Sequence, residues 1–127
     1  MEWNEFFKIL GIEKSENKYS VGIEFNPAHE ILKGHFPGNP VVPGVCMVQI
    51  IKEILKNIFE KDFTMLQASQ LKFLAIINPD ETKKVQVDIQ ISGDDTTGLT
   101  LSGSFNKGEL IFLKYKAVFI GKPEMVQ

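Results

Sequence analysis

Tyr19, Val21, Ile23 and Phe25 alternate with Ser20, Gly22 and Glu24. A period of two is the mark of a strand with one face buried. The same alternation returns further along the chain. Residues 65–76 are apolar with polar insertions, and Val85, Val87, Ile89 and Ile91 alternate with Gln86, Asp88 and Gln90. Leu99, Leu101 and Phe105 share one side of the next strand, and Leu110–Phe119 forms the last. Asn78-Pro79-Asp80, Gly93-Asp94-Asp95 and Asn106-Lys107-Gly108 separate these segments as turns.

Two stretches keep a helical period instead. Trp3, Phe6, Phe7 and Leu10, with Gly11 as a stop signal, predict a short amphipathic helix over residues 2–10 that covers an edge or end of the sheet. From Val45 to about Phe59 the pattern is again helical. Met47, Val48, Ile51, Ile54, Leu55 and Ile58 form a wide apolar face with Ile50 at its margin. Gln49, Lys52, Glu53, Lys56 and Glu60 form the opposite stripe, whose only aliphatic member is Val45. One long helix ahead of an antiparallel run predicts an α+β fold with the sheet wrapped around that helix. At 127 residues the chain is expected to be one domain, 1–127, with a tail that frays from Gly121.

Between the first strand and the long helix the pattern breaks down. Gly34-His35-Phe36-Pro37-Gly38-Asn39-Pro40-Val41-Val42-Pro43-Gly44-Val45 sets three prolines and three glycines around one histidine. Neither a helix nor a central strand tolerates that density, so this is a shaped loop. Pro43 suits a helix start, because a first-turn N–H has no intrahelical partner. The loop therefore brings His35 near the positive end of a helix, where free N–H groups can hold an oxygen.

Composition narrows the function without naming it. The formal charge is −2, from 14 basic and 16 acidic residues. That balance lacks the basic stripe of a nucleic-acid binder. No apolar run approaches the ~18 residues of a membrane span. The start, Met1-Glu2-Trp3-Asn4-Glu5, carries no signal-peptide pattern, and the single cysteine cannot form an internal disulfide. A cytoplasmic protein is expected. His29 and His35 with one distant cysteine fit no metal-ligand spacing, and no nucleotide-binding fingerprint occurs, so neither metal nor cofactor is expected. The plain reading of His29, beside Glu30 in a connector, is a hydrogen-bonded surface residue.

The segment from Gly34 to Val45 resembles the signature of the 3-hydroxyacyl-[acyl-carrier-protein] dehydratases, which have the hotdog fold. The likeness is dense over residues 34–45 and continues loosely through Leu71-Lys72-Phe73. It implies removal of water from a 3-hydroxyacyl thioester to give the trans-2-enoyl thioester, in fatty acid or related polyene and lipid synthesis. It implies acyl carrier protein as the partner that presents the substrate. It also implies a dimer whose sheets join edge to edge, with the active site at the interface.

His35 matches the family's histidine, and its ordinary pKa suits a base. A histidine in so tight a loop can also serve structure alone. The Gly44 N–H is the expected oxygen holder, with Phe36, Val45 and Cys46 as substrate-side neighbours. Gly44 can equally be present only to permit a tight turn. Cys46 is expected to support the acyl tunnel rather than act as a nucleophile. The family's carboxylate lies 14 positions after the histidine, and that position is Gln49. An amide positions a hydroxyl or water but does not donate a proton as a general acid. Glu53 lies one turn further on the same helix face, so the carboxylate has either moved there or been lost. The plain reading of Glu53 is a member of the solvated charged stripe. Three functions stay open: a dehydratase; a thioesterase using Gln49 and Glu53 to activate water; and a weakly active or non-catalytic subunit that binds acyl carrier protein or pairs with a Glu-bearing relative.

Overall fold

The computed structural model describes residues 3–33 and 40–123. A short helix α1 (Trp3–Phe6) leads into β1 (Phe7–Ser15) and β2 (Lys18–Phe25). After a one-turn helix α2 (Glu30–Lys33) comes the long helix α3 (Gly44–Phe59). Four strands complete the chain: β3 (Phe63–Phe73), β4 (Lys84–Asp94), β5 (Gly98–Lys107) and β6 (Leu110–Gly121). All six strands form one sheet in the order β1-β2-β4-β5-β6-β3, and every pairing is antiparallel. The long helix and the run of strands after it are where the hydrophobic pattern placed them.

Helix α3 covers one face of this sheet. Cys46, Met47, Ile50, Ile51, Ile54 and Leu55 are buried. They share a core with Val21, Ile23, Val87, Ile89, Leu101, Phe105, Leu113, Tyr115 and Phe119 of the strands. The buried stripe is rotated from the predicted one: Ile50 is fully buried, while Val48 and Ile58 are only half-buried. At about 1.5–3 kcal/mol for each fully buried aliphatic side chain, this stripe anchors the helix far more strongly than its own propensity does. Glu60 in a left-handed conformation ends the helix, its N–H bonding to the Lys56 carbonyl at 2.8 Å.

The predicted helix over residues 2–10 is corrected. Among the described residues of that stretch only Trp3–Phe6 is helical, and Phe7, Leu10 and Gly11 belong to β1. Strand β1 pairs with β2 from Phe7↔Phe25 to Ser15↔Lys18, with a bulge between Ile9 and Gly11. A ladder along a preformed edge satisfies more backbone groups than two isolated helical turns, whose nucleation is costly. Two other boundaries shift. Gly93 and Asp94 end β4, and the turn is Asp95-Thr96-Thr97, closed by the Thr96 N–H to Asp94 Oδ1 at 2.7 Å. Gly121 is held rather than frayed, since its N–H donates to the Asp95 carbonyl at 2.8 Å. Among the described residues, no helix is long and apolar enough to cross a membrane.

Candidate active site

The loop that carries His35 and Phe36 lies outside the described residues. On its C-terminal side, Pro43 caps α3 with extended angles (φ −64°, ψ 148°) and offers no side-chain bond to the first turn. Its carbonyl instead accepts the N–H groups of Cys46 at 3.0 Å and Met47 at 3.3 Å. The N–H groups of Gly44 and Val45 precede the first intrahelical bond, so they are the donors a bound oxygen would meet.

Phe73 is packed directly over this helix start. A β-carbon added to Gly44 would lie 2.8 Å from Phe73 Cζ, closer than real side chains approach. Glycine at position 44 therefore lets β3 close on the helix. Beside it runs an apolar groove of about 340 Å³, lined by Val42, Pro43, Gly44, Met47, Phe73, Leu74 and Ile76 among others. Backbone bonds fix both walls. The Val42 N–H donates to the Ile77 carbonyl at 3.0 Å, and the Leu74 N–H to the Phe112 carbonyl at 2.8 Å. The rim is strongly apolar: Ile76 is 70% and Phe73 52% exposed.

The other expected site residues are distributed along α3. Gln49 and Glu53 are half-buried, one helical turn apart, and neither lines the groove. Val45 points largely to solvent. Cys46 turns into the core, where burial pushes its thiol pKa up, so it stays protonated and inert. Of the expected residues on α3, Gly44 alone meets the groove. Met47 and Ile76 were not expected at the site from the sequence, and Phe73 entered only within the likeness at Leu71-Lys72-Phe73. Phe73 was legible as an apolar residue closing a strand segment, but only the packing shows it against Gly44.

His29 accepts the Ile31 N–H at its Nδ1, 3.2 Å away, and packs edge-on against Phe6 with ring centres 5.5 Å apart. A larger open cleft of about 1090 Å³ adjoins it, lined by Glu5, Lys8, Glu24, Glu30 and Lys83 among others. The imidazole is engaged with its own loop and the cleft walls are mixed in charge, so size alone does not make this cleft the site. No cluster of metal-binding side chains occurs among the described residues.

Residues 11–109 match the ApeI-like family, described as ApeI dehydratase. A 3-hydroxyacyl-[acyl-carrier-protein] dehydratase FabZ of Caldicellulosiruptor bescii is 29% identical over 103 residues, covering 79% of this chain and 71% of the relative. The FabZ of Caldicellulosiruptor saccharolyticus is 25% identical over 108 residues, covering 79% and 76%. Among solved structures, a chain of the dehydratase heterocomplex ApeI:P from Xenorhabdus doucetiae superposes with a TM-score of 0.69 at 15% identity, over 89% of this chain and 96% of that one. A hypothetical thioesterase with coenzyme A from Streptococcus pneumoniae superposes with a TM-score of 0.61 at 11% identity, over 94% and 88%. At such identities the superpositions establish the shared hotdog architecture and nothing finer. With the match covering most of its length, this chain belongs to the ApeI-like family of FabZ-related hotdog dehydratases.

Proposed function

We propose that this chain, as a single hotdog unit, dehydrates 3-hydroxyacyl thioesters presented by acyl carrier protein in the cytoplasm. The observation that carries this reading is the apolar groove that ends at the open N-terminus of α3, in a chain of a dehydratase family. An acyl chain suits the groove, and the thioester oxygen suits the Gly44 N–H. His35 takes the C2 proton, and negative charge building on the thioester oxygen is held by the helix start. The C2=C3 double bond forms as the C3–O bond breaks, and the hydroxyl leaves as water once it has gained a proton.

The source of that proton is where this chain departs from the family pattern. Gln49 can orient the departing hydroxyl but not protonate it. Glu53, half-buried one turn away, is the nearest acid on the same helix face. We infer a weakly active homodimer, because losing one acid–base participant typically costs about 10²–10⁴-fold. A second reading is favoured by Gln49 itself: the chain serves as one half of a heterodimer, with His35 facing a Glu supplied by a related subunit. The heterocomplex named for the Xenorhabdus structure is a precedent for pairing of this kind.

The test is to supply the purified protein with 3-hydroxyacyl carrier protein and monitor products by mass spectrometry. Enoyl thioester with water lost is the expected product. Release of free acid would replace this reading with a thioesterase. His35→Ala should abolish turnover while leaving the fold intact; retention of half the wild-type rate would remove His35 from the mechanism.

A further inference from the structure

The connector between β2 and α2 is tied down at successive points. The Asn26 N–H donates to the Phe6 carbonyl at 2.8 Å, and its side-chain amide donates to the Glu5 carbonyl at 2.9 Å. Asn26 Oδ1 accepts the Ala28 N–H at 3.1 Å, and the Asn26 carbonyl accepts the His29 N–H at 3.1 Å. This turn sets where α2 begins.

His29 stands at the N-cap of α2. Its carbonyl accepts the Leu32 N–H at 3.0 Å, and its Nδ1 accepts the Ile31 N–H at 3.2 Å. An imidazole nitrogen that accepts carries no proton, so the ring's N–H is on Nε2. The same ring lies edge-on to Phe6, which is fully buried. A four-residue helix cannot hold itself, because nucleation costs more than one turn of bonds returns. Helix α2 therefore depends on its cap and on Leu32, which is buried in the core. The residues that cap most readily, Asn, Asp, Ser and Thr, have no ring. His29 combines both parts: an acceptor for the first turn of α2, and an aromatic edge that joins the cap to Phe6.

The position of α2 bears on the base. The helix ends at Lys33, and His35 follows two residues later. Two residues of chain span at most about 7 Å, so a shift of α2 is passed on with little slack. The far side of the loop is held separately, by the Val42 N–H to the Ile77 carbonyl at 3.0 Å. A displacement of about 1 Å in a reacting group can cost about 10²-fold in rate.

We propose that His29 is a positioning residue for His35: as the N-cap of α2 it fixes the near end of the segment that carries the base. This rests on the reading that His35 takes the C2 proton. His29 acts through the backbone, not on the reacting atoms.

Three variants separate capping from packing. His29→Asn keeps an acceptor at the N-cap and loses the ring. His29→Phe keeps a ring against Phe6 and loses the acceptor. His29→Ala loses both. Backbone amide exchange, read by mass spectrometry, checks the cap without turnover. Exchange in the peptide spanning α2 should quicken about threefold or more in the alanine and phenylalanine variants. It should stay within about twofold of wild type in the asparagine variant, with β4 and β5 unchanged throughout. In turnover of a 3-hydroxyacyl pantetheine thioester, kcat should fall about tenfold in the alanine and phenylalanine variants while KM stays within about twofold. The asparagine variant should recover kcat to within about threefold of wild type. An alanine variant with kcat within twofold of wild type overturns the proposal. So does a phenylalanine variant that matches wild type, an asparagine variant as impaired as alanine, or exchange that quickens equally across the whole sheet. If exchange follows the cap but the wild type forms no enoyl product, His29 stands as the holder of α2 and the dehydratase reading falls.

Discussion

Positions 49 and 53 decide what kind of chemistry this chain supports. If Glu53 supplies the proton, Glu53→Gln should lower homodimer dehydration by about 10²-fold or more, and Gln49→Glu should help little. If the homodimer site is simply deficient, Gln49→Glu should raise the rate and Glu53→Gln should leave it nearly unchanged. We expect the second outcome, measured as initial rates of enoyl formation. A protein silent with either change, and active only after a second hotdog subunit is added, would establish the heterodimer reading. Cys46 gives a separate check at this scale. Its raised pKa means the folded state holds the thiol proton more tightly than the unfolded chain does. That contribution is complete below the unfolded-state pKa and is lost as pH rises through the folded one. The folded protein should therefore react slowly with a thiol-disulfide reagent near neutral pH, and rapidly in denaturant; equal rates would contradict burial of the thiol.

At the scale of elements, β4, β5 and β6 are locked by one close approach. The Tyr115 hydroxyl, from β6, crosses β5 and donates to the Asp88 carbonyl of β4 at 2.7 Å. Burial is the main cause that pushes its phenol pKa up, with the Asp88 charge adding to it. The crossing needs a glycine between, because a β-carbon at Gly103 would run into the Asp88 carbonyl oxygen and come 2.8 Å from the Tyr115 hydroxyl. Tyr115→Phe should cost about 0.5–1.5 kcal/mol, the net worth of one hydrogen bond. Gly103→Ala should cost more, because backbone must move. For the helix, Ile54→Ala removes a fully buried side chain and should cost about 2–5 kcal/mol. Urea denaturation orders these variants, and an Ile54→Ala protein as stable as wild type would mean α3 is not the element that the sheet packs around.

For the whole molecule, the uncovered surface is the β3 edge. Strand β3 ends the sheet, and all but its first residues are exposed, with Leu66 at 56% and Leu71 at 37%. Long apolar edge strands invite pairing with another chain. Together with Phe73, Leu74 and Ile76, they make an exposed apolar stretch of the kind that marks an interaction surface. We expect a dimer at micromolar concentration, with Leu66→Glu shifting it towards monomer. Sedimentation that returns a 14.3 kDa species for the wild type would sink the edge-to-edge arrangement and the shared site with it.

Much of this protein is decided locally. The period-two runs at Tyr19–Phe25 and Val85–Ile91 turn their odd-numbered residues inward as strands, because a side chain's face in a strand depends only on parity. The long helix is similarly legible as an element, since its 3.6-residue apolar stripe fits no strand. The Pro- and Gly-rich loop announces the helix start and the family chemistry, because few residue types tolerate those backbone angles. Other features depend on partners distant in the chain. Phe7 and Leu10 show helical spacing yet lie in β1, since pairing with β2 outweighs two turns of helix. Ile50, placed at the margin by its pattern, is fully buried because the strands packed against α3 set which way it faces. The approach of Phe73 to Gly44 joins residues 29 positions apart. The pairing of Lys72 with Lys114 joins residues 42 apart. Neither is encoded in any local period; both exist only because β3 returns to the sheet edge beside β6, where the packing of α3 holds it.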